Sequence, residues 1–95
     1  MNNTWIIGIG GSDMDDVKTY LVSGTEEQVK QHLVNLILED RKTIETESGE
    51  SFEYGSESIE EIDTFGGHTH FYGSAVYSES HRDYSATLVQ NVTEL

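Results

Sequence analysis

The sequence predicts an α+β fold, an antiparallel sheet of four to five strands in the order β-β-α-β-β-β with one amphipathic helix packed on one face. Three observations carry this reading. β-Branched and aromatic runs flank a glycine-rich turn near the start, a capped stretch from Thr25 repeats apolar residues at helical spacing, and three further extended segments follow residue 61. With 95 residues there is chain for one small core, so a single domain spanning 1–95 is expected.

Thr4-Trp5-Ile6-Ile7-Gly8-Ile9 reads as a first strand, and Gly10-Gly11-Ser12-Asp13 as its turn. Val17 to Val22 alternates loosely and stops at Ser23-Gly24, which suits a second strand paired back on the first. Thr25-Glu26-Glu27-Gln28 is a capping box: the threonine oxygen accepts from the Gln28 N–H while the glutamine side chain reaches back. Val29, Leu33, Leu36 and Ile37 then form an apolar stripe, widened by Val34 and Leu38, and Arg41-Lys42 suit a last helical turn. A helix over residues 25–42 follows. Residues 43–58 show no sustained period and read as a long loop. Ser58 to Glu61 suits a short helical turn, and Ile62 to Phe65 an extended segment meeting the tight-turn pair Gly66-Gly67. His68 to Tyr77 is a strand, Ser78 to Asp83 a polar turn, and Tyr84 to Val89 the final strand.

Charge is the strongest constraint on partners. Eighteen acidic side chains face five basic ones, a formal net charge of −13, and such self-repulsion persists where solubility or a partner favours it. Lys18, Lys30, Arg41, Lys42 and Arg82 are too few and scattered to form a phosphate-binding stripe, which argues against direct nucleic-acid binding and against anionic membranes. Cysteine is absent, so disulfides and thiolate metal sites are excluded. No basic segment precedes the first strand and no apolar run spans a bilayer, so a cytoplasmic protein is expected.

Several constellations invite chemistry. Gly8-Ile9-Gly10-Gly11 has the glycines of a phosphate loop, but three aspartates follow where a helix should open. Asp13, Asp15 and Asp16 gather carboxylates in a turn, yet Lys18 and Gly24 stand where an EF-hand loop needs glycine and glutamate. His68 and His70, two apart on the expected strand, would share a face, and with His81 or Asp63 they form the alternative reading of a small divalent-metal site. Ser80, His81 and Asp83 are too close in sequence to converge as a triad. No catalytic residues and no cofactor are therefore assigned, and the expected activity is non-enzymatic.

The acids are unevenly spread: from Glu39 to Asp63 there are ten, against Arg41 and Lys42. Glu45, Glu47, Glu50, Glu53, Glu57, Glu60, Glu61 and Asp63 are the expected partner-binding surface, with Asp13, Asp15 and Asp16 as a second patch. The partner would be a basic protein surface, such as the groove of a nucleic-acid-processing enzyme. A further expectation is self-association through the sheet face or an edge strand. In size, acidity and α+β reading the chain resembles the small proteins that phages and mobile elements encode against host nucleases, including DNA-mimicking anti-restriction and anti-CRISPR inhibitors. That likeness is one of composition, rests on no motif and carries over no functional residue.

Overall fold

In a computed structural model describing residues 2–78 and 80–95, alternation of side chains decides which strand face is buried. β1 (Asn3–Gly11) buries Trp5, Ile7 and Ile9, and β2 (Lys18–Gly24) pairs antiparallel with it from Asn3 opposite Gly24 to Ile9 opposite Lys18. Helix α1 (Glu26–Glu47) follows, then β3 (Phe52–Gly55), a 3-10 turn at Ile59–Glu61, β4 (Asp63–Phe65), β5 (His70–Tyr77) and β6 (Ser80–Leu88). The strands form one antiparallel sheet in the order β2-β1-β6-β5-β3, with β4 also on β5. The first and last strands are thus neighbours at its centre, with Ile7 opposite Ala86 and Ala86 opposite Phe71.

The α+β architecture matches expectation, with one more strand than expected. β3 lies inside the segment read as a loop, and with β4 it makes a single interrupted edge on β5: Asp63–Phe65 face His70–Tyr72, and Phe52–Gly55 face Ala75–Tyr77. Four residues with one buried-side aromatic are too few to generate a visible period.

The helix also runs further than expected. Its start is local and legible: Thr25 Oγ1 accepts from Gln28 N–H, and Gln28 Oε1 from Thr25 N–H. Its end is not at Arg41-Lys42. Ile44 continues the stripe of Val29, Leu33 and Ile37, Arg41 pairs with Glu45 one turn on, and the helix closes at Ser48, whose hydroxyl donates to the Ile44 carbonyl at 2.6 Å. Gly49, at φ +75, supplies the left-handed residue that ends helices. Leu38, expected in the stripe, is 43% exposed.

α1 packs over Trp5, Ile7, Phe71, Ala75, Tyr84 and Ala86. Small residues let it approach: a Cβ added at Gly73 would lie 2.9 Å from Ile62 Cδ1 and 3.1 Å from Ile37 Cδ1. The opposite face of the sheet carries no covering element among the described residues.

Two turns differ from expectation. β4 and β5 are joined by four residues, Gly66 to Thr69, and Gly66, Gly67 and His68 all have positive φ, with His68 at 69°. Side chains pay steric strain in that region. The variant His68→Gly is accordingly expected to gain about 0.5–1 kcal/mol, a Tm rise of a few degrees by calorimetry; a fall in Tm would show that the His68 side chain contributes more than its backbone strain costs. At the other turn, Tyr77 faces Ser80, so Ser80 to Asp83 belong to β6 rather than to a polar turn. Glu79, part of that expected turn, lies outside the described residues.

Candidate functional site

The carboxylates of Glu45 to Asp63 sit on or between consecutive elements: the end of α1, β3 and the 3-10 turn, which both contact α1, and β4, which pairs with β5 beside β3. All eight expected there are exposed. Three are engaged within the molecule. Arg41 Nε donates to Glu45 at 3.2 Å and its Nη1 to Glu57, which ties α1 to the loop after β3. Glu61 Oε2 accepts from the Glu57 N–H at 2.5 Å and the Ser58 N–H at 3.1 Å, capping the 3-10 turn. Glu47, Glu50, Glu53, Glu60 and Asp63 make no ion pair among the described residues.

The last turn of α1 holds Glu45 and Glu47 and no basic residue. Carboxylates there face the negative end of the helix dipole, which disfavours each by about 0.3–1 kcal/mol. A shallow depression lined by Glu39, Lys42, Thr43, Thr46 and Glu47 runs along this part of the helix.

The second acidic patch is divided. Asp15 and Asp16 are exposed, but Asp13 accepts hydrogen bonds from Arg82 and from the Tyr77 hydroxyl. Arg82 also reaches Asp40 of α1 at 3.1 Å, and Asp40 accepts from Tyr84 Oη at 2.8 Å. Asp13 is therefore a clamp between the β1–β2 turn, β6 and the helix. Burial raises its pKa, but the Arg82 and Tyr77 hydrogen bonds and the Arg82 charge outweigh this and hold the carboxyl below its ordinary range. Burial and the bond to Asp13 push Tyr77 up to about 12. Burial, then the bond to Asp40, raises Tyr84. Sequence separation hid this network, since Asp13 and Arg82 are 69 residues apart.

On the uncovered face, Tyr72 donates to Asp83 Oδ1 at 2.5 Å, and His81 Nε2 stands 3.4 Å from Asp83 Oδ2. The Asp83 hydrogen bond, with burial second, pushes Tyr72 up to about 12.

The three histidines are not brought together. His68 leaves the strand for the turn and lies 3.4 Å from Glu26, at the start of α1. His70 bonds Thr87 at 2.8 Å on the uncovered face. His81 pairs with Val76, six residues along β5 from His70, roughly 20 Å away. Among the described residues no three His, Cys, Asp or Glu groups are placed to hold a metal.

Of the aromatics, Trp5, Phe71, Tyr77 and Tyr84 are buried, whereas Tyr20, Tyr54 and Phe65 are exposed. Tyr20 shares a 2.6 Å hydrogen bond with His32 Nε2; burial, then the charges of Glu39 and Asp40, raises its pKa.

Fold and surface together define a small acidic α+β protein with one helix on one face of an antiparallel sheet. No protein-family model, curated protein or solved structure matches the chain. No helix among the described residues is long and apolar enough to cross a membrane.

Proposed function

We propose that this chain is a non-enzymatic protein-binding module of the cytoplasm that docks its acidic surface into a basic groove, such as that of a nucleic-acid-processing enzyme. The observation that carries the reading is the run of exposed carboxylates from Glu45 to Asp63 on adjoining elements. Two of them stand where the helix dipole disfavours them, a departure from local stability rules of the kind that functional surfaces show. Arg41, one of the two bases in the stretch, is shared by Glu45 and Glu57, so that trio keeps one net negative charge. Glu47, Glu50, Glu53, Glu60 and Asp63, which make no ion pair among the described residues, carry most of the outward charge. An array of this kind presents to a basic protein what a phosphate backbone presents, and an inhibitor encoded by a phage or mobile element is the role that fits it.

The test compares the wild type with a variant in which Glu47, Glu50, Glu53 and Glu60 become Gln and Asp63 becomes Asn. Each is immobilised and challenged at low salt with a lysate fraction of nucleic-acid-binding proteins. The expected result is capture by the wild type, release by added duplex DNA or by raising salt beyond about 0.3 M, and loss of most capture by the variant. Equal capture by both proteins overturns the proposal.

A further inference from the structure

The two edges of the sheet are built differently. The edge on β5 is guarded: its register shifts between Phe52 and Tyr54, it breaks between β3 and β4, and it carries Glu53 and Asp63. Bulges, short strands and charge are the usual protections against stray pairing. β2 has no bulge and is not short, and its one charge is Lys18 at the start of the strand. Its residues pair with β1 in unbroken register on one side, and among the described residues no strand lies on the other. Its sequence, Lys-Thr-Tyr-Leu-Val-Ser-Gly, contains no acid, proline or bulge. Leu21 is 65% exposed beside Ile6, which is 42% exposed, on the uncovered face.

We propose that β2 is the pairing edge for a second copy of this chain, joined antiparallel about a two-fold axis at Leu21. The strand is self-complementary in that register. Leu21 meets its own copy next to the two Ile6 side chains, Tyr20 lies opposite Val22, Thr19 opposite Ser23, and Lys18 opposite Gly24. Charge selects this edge for self-pairing. Two molecules of net charge −13 approach most readily where carboxylates are fewest, and residues 2–12 and 17–25, which hold β1 and β2, contain none. Carboxylates remain at the margins of this edge: Glu39 and Asp40 of α1 act on Tyr20 from the helix side, and Asp15, Asp16, Glu26 and Glu27 flank the strand, with Asp16 of one copy opposite Glu26 of the other in this register, so these are the charges whose repulsion salt screens. A seven-residue edge is about 24 Å long, so the contact is at the small end of specific interfaces and the dimer is expected to dissociate in the micromolar range.

Binding of a basic partner through the acidic elements weakens with salt, whereas this dimer strengthens with it because salt screens the repulsion between like-charged copies. The two proposals therefore fail separately. Sedimentation velocity across a concentration series is expected to show a monomer–dimer equilibrium that tightens several-fold between low and high salt. The variant Leu21→Lys, at an exposed position, is expected to keep the wild-type circular dichroism and to remain monomeric. The chain has no cysteine, so Leu21→Cys places one thiol on the axis. Facing Cα atoms of an antiparallel pair are about 4.5–5.5 Å apart, within disulfide reach. Mild oxidation should cross-link Leu21→Cys rapidly and Ser23→Cys, whose residue faces Thr19, far more slowly. A wild type monomeric at millimolar concentration, a dimer unchanged by Leu21→Lys, or equal cross-linking of both cysteine variants overturns the proposal.

Discussion

Replacing Arg82 by methionine is expected to lower Tm by roughly 10–20 °C at neutral pH, which corresponds to about 2–3 kcal/mol in a domain of this size. Arg82 is the hub between Asp13 in the β1–β2 turn and Asp40 on α1, and those carboxylates also receive the Tyr77 and Tyr84 hydroxyls. Methionine fills much of the volume but leaves two nearby carboxylates without their cation. The side chains of Arg82, Asp13 and Asp40 are 17%, 22% and 28% exposed, so water screens part of the loss and the effect falls below that of a fully buried pair. The pH dependence identifies the mechanism. Asp13 has a depressed folded pKa, so its contribution is present above its unfolded value of 3.8 and is lost as pH falls through the folded value. The gap between wild type and Arg82→Met should therefore narrow as the solution is acidified below about pH 4. Tyr77 is the opposite case: with its folded value raised from 10.0 to about 12, its contribution is present below pH 10.0 and is lost as pH rises towards 12. Thermal melts of both proteins across pH measure these effects, and a gap that stays constant into acid would sink the assignment of Asp13 to Arg82.

The variant Phe71→Ala is expected to be destabilised by about 3–5 kcal/mol, a large part of the total for a small domain. Phe71 is fully buried, its ring stacked on Trp5 with centroids 5.1 Å apart and planes at 24°. Lys30 Nζ stands 5.1 Å from the ring centroid. Truncation opens a void between the helix and the sheet centre, where Trp5 is anchored by its own hydrogen bond to the Gly24 carbonyl at 3.2 Å and cannot readily collapse inward. Urea unfolding should show a lower midpoint with an unchanged slope. Phe65→Ala is the control: at 52% exposed on the uncovered face, it should shift stability by no more than about 0.5 kcal/mol. A cost below about 1 kcal/mol for Phe71→Ala would mean that the core repacks around the loss.

These effects show which parts of the molecule are legible from one dimension. The capping box at Thr25 is a contact across three residues, so its chemistry is visible in the sequence, and the helix starts where expected. The helix end is less legible: Arg41-Lys42 is a favourable stop, while half-buried Ile44, two turns after Ile37, and Gly49 at positive φ lie beyond it. β3 leaves no such signal, because an edge strand of four residues needs few buried side chains. His68 and His70 look like a same-face pair only if both are extended, and the positive φ of His68 removes one from the strand.

The acidic surface follows the same division. That Glu45 to Asp63 are exposed is a consequence of their charge, and composition alone implies it. That Glu45 and Glu57 share Arg41, that Glu61 caps a backbone turn and that Asp13 is clamped by Arg82 depend on which elements meet. Short-range chemistry, from periodicity to capping to net charge, was set by the sequence itself: an α+β class, a helix from Glu26 and a chain of net charge −13. Only the tertiary structure decided which carboxylates stay free, that β1 and β6 close the sheet at its centre, and that β2 is left as an open, acid-free edge. The reason is physical: pairing across tens of residues depends on chain closure and packing, which no local stretch encodes.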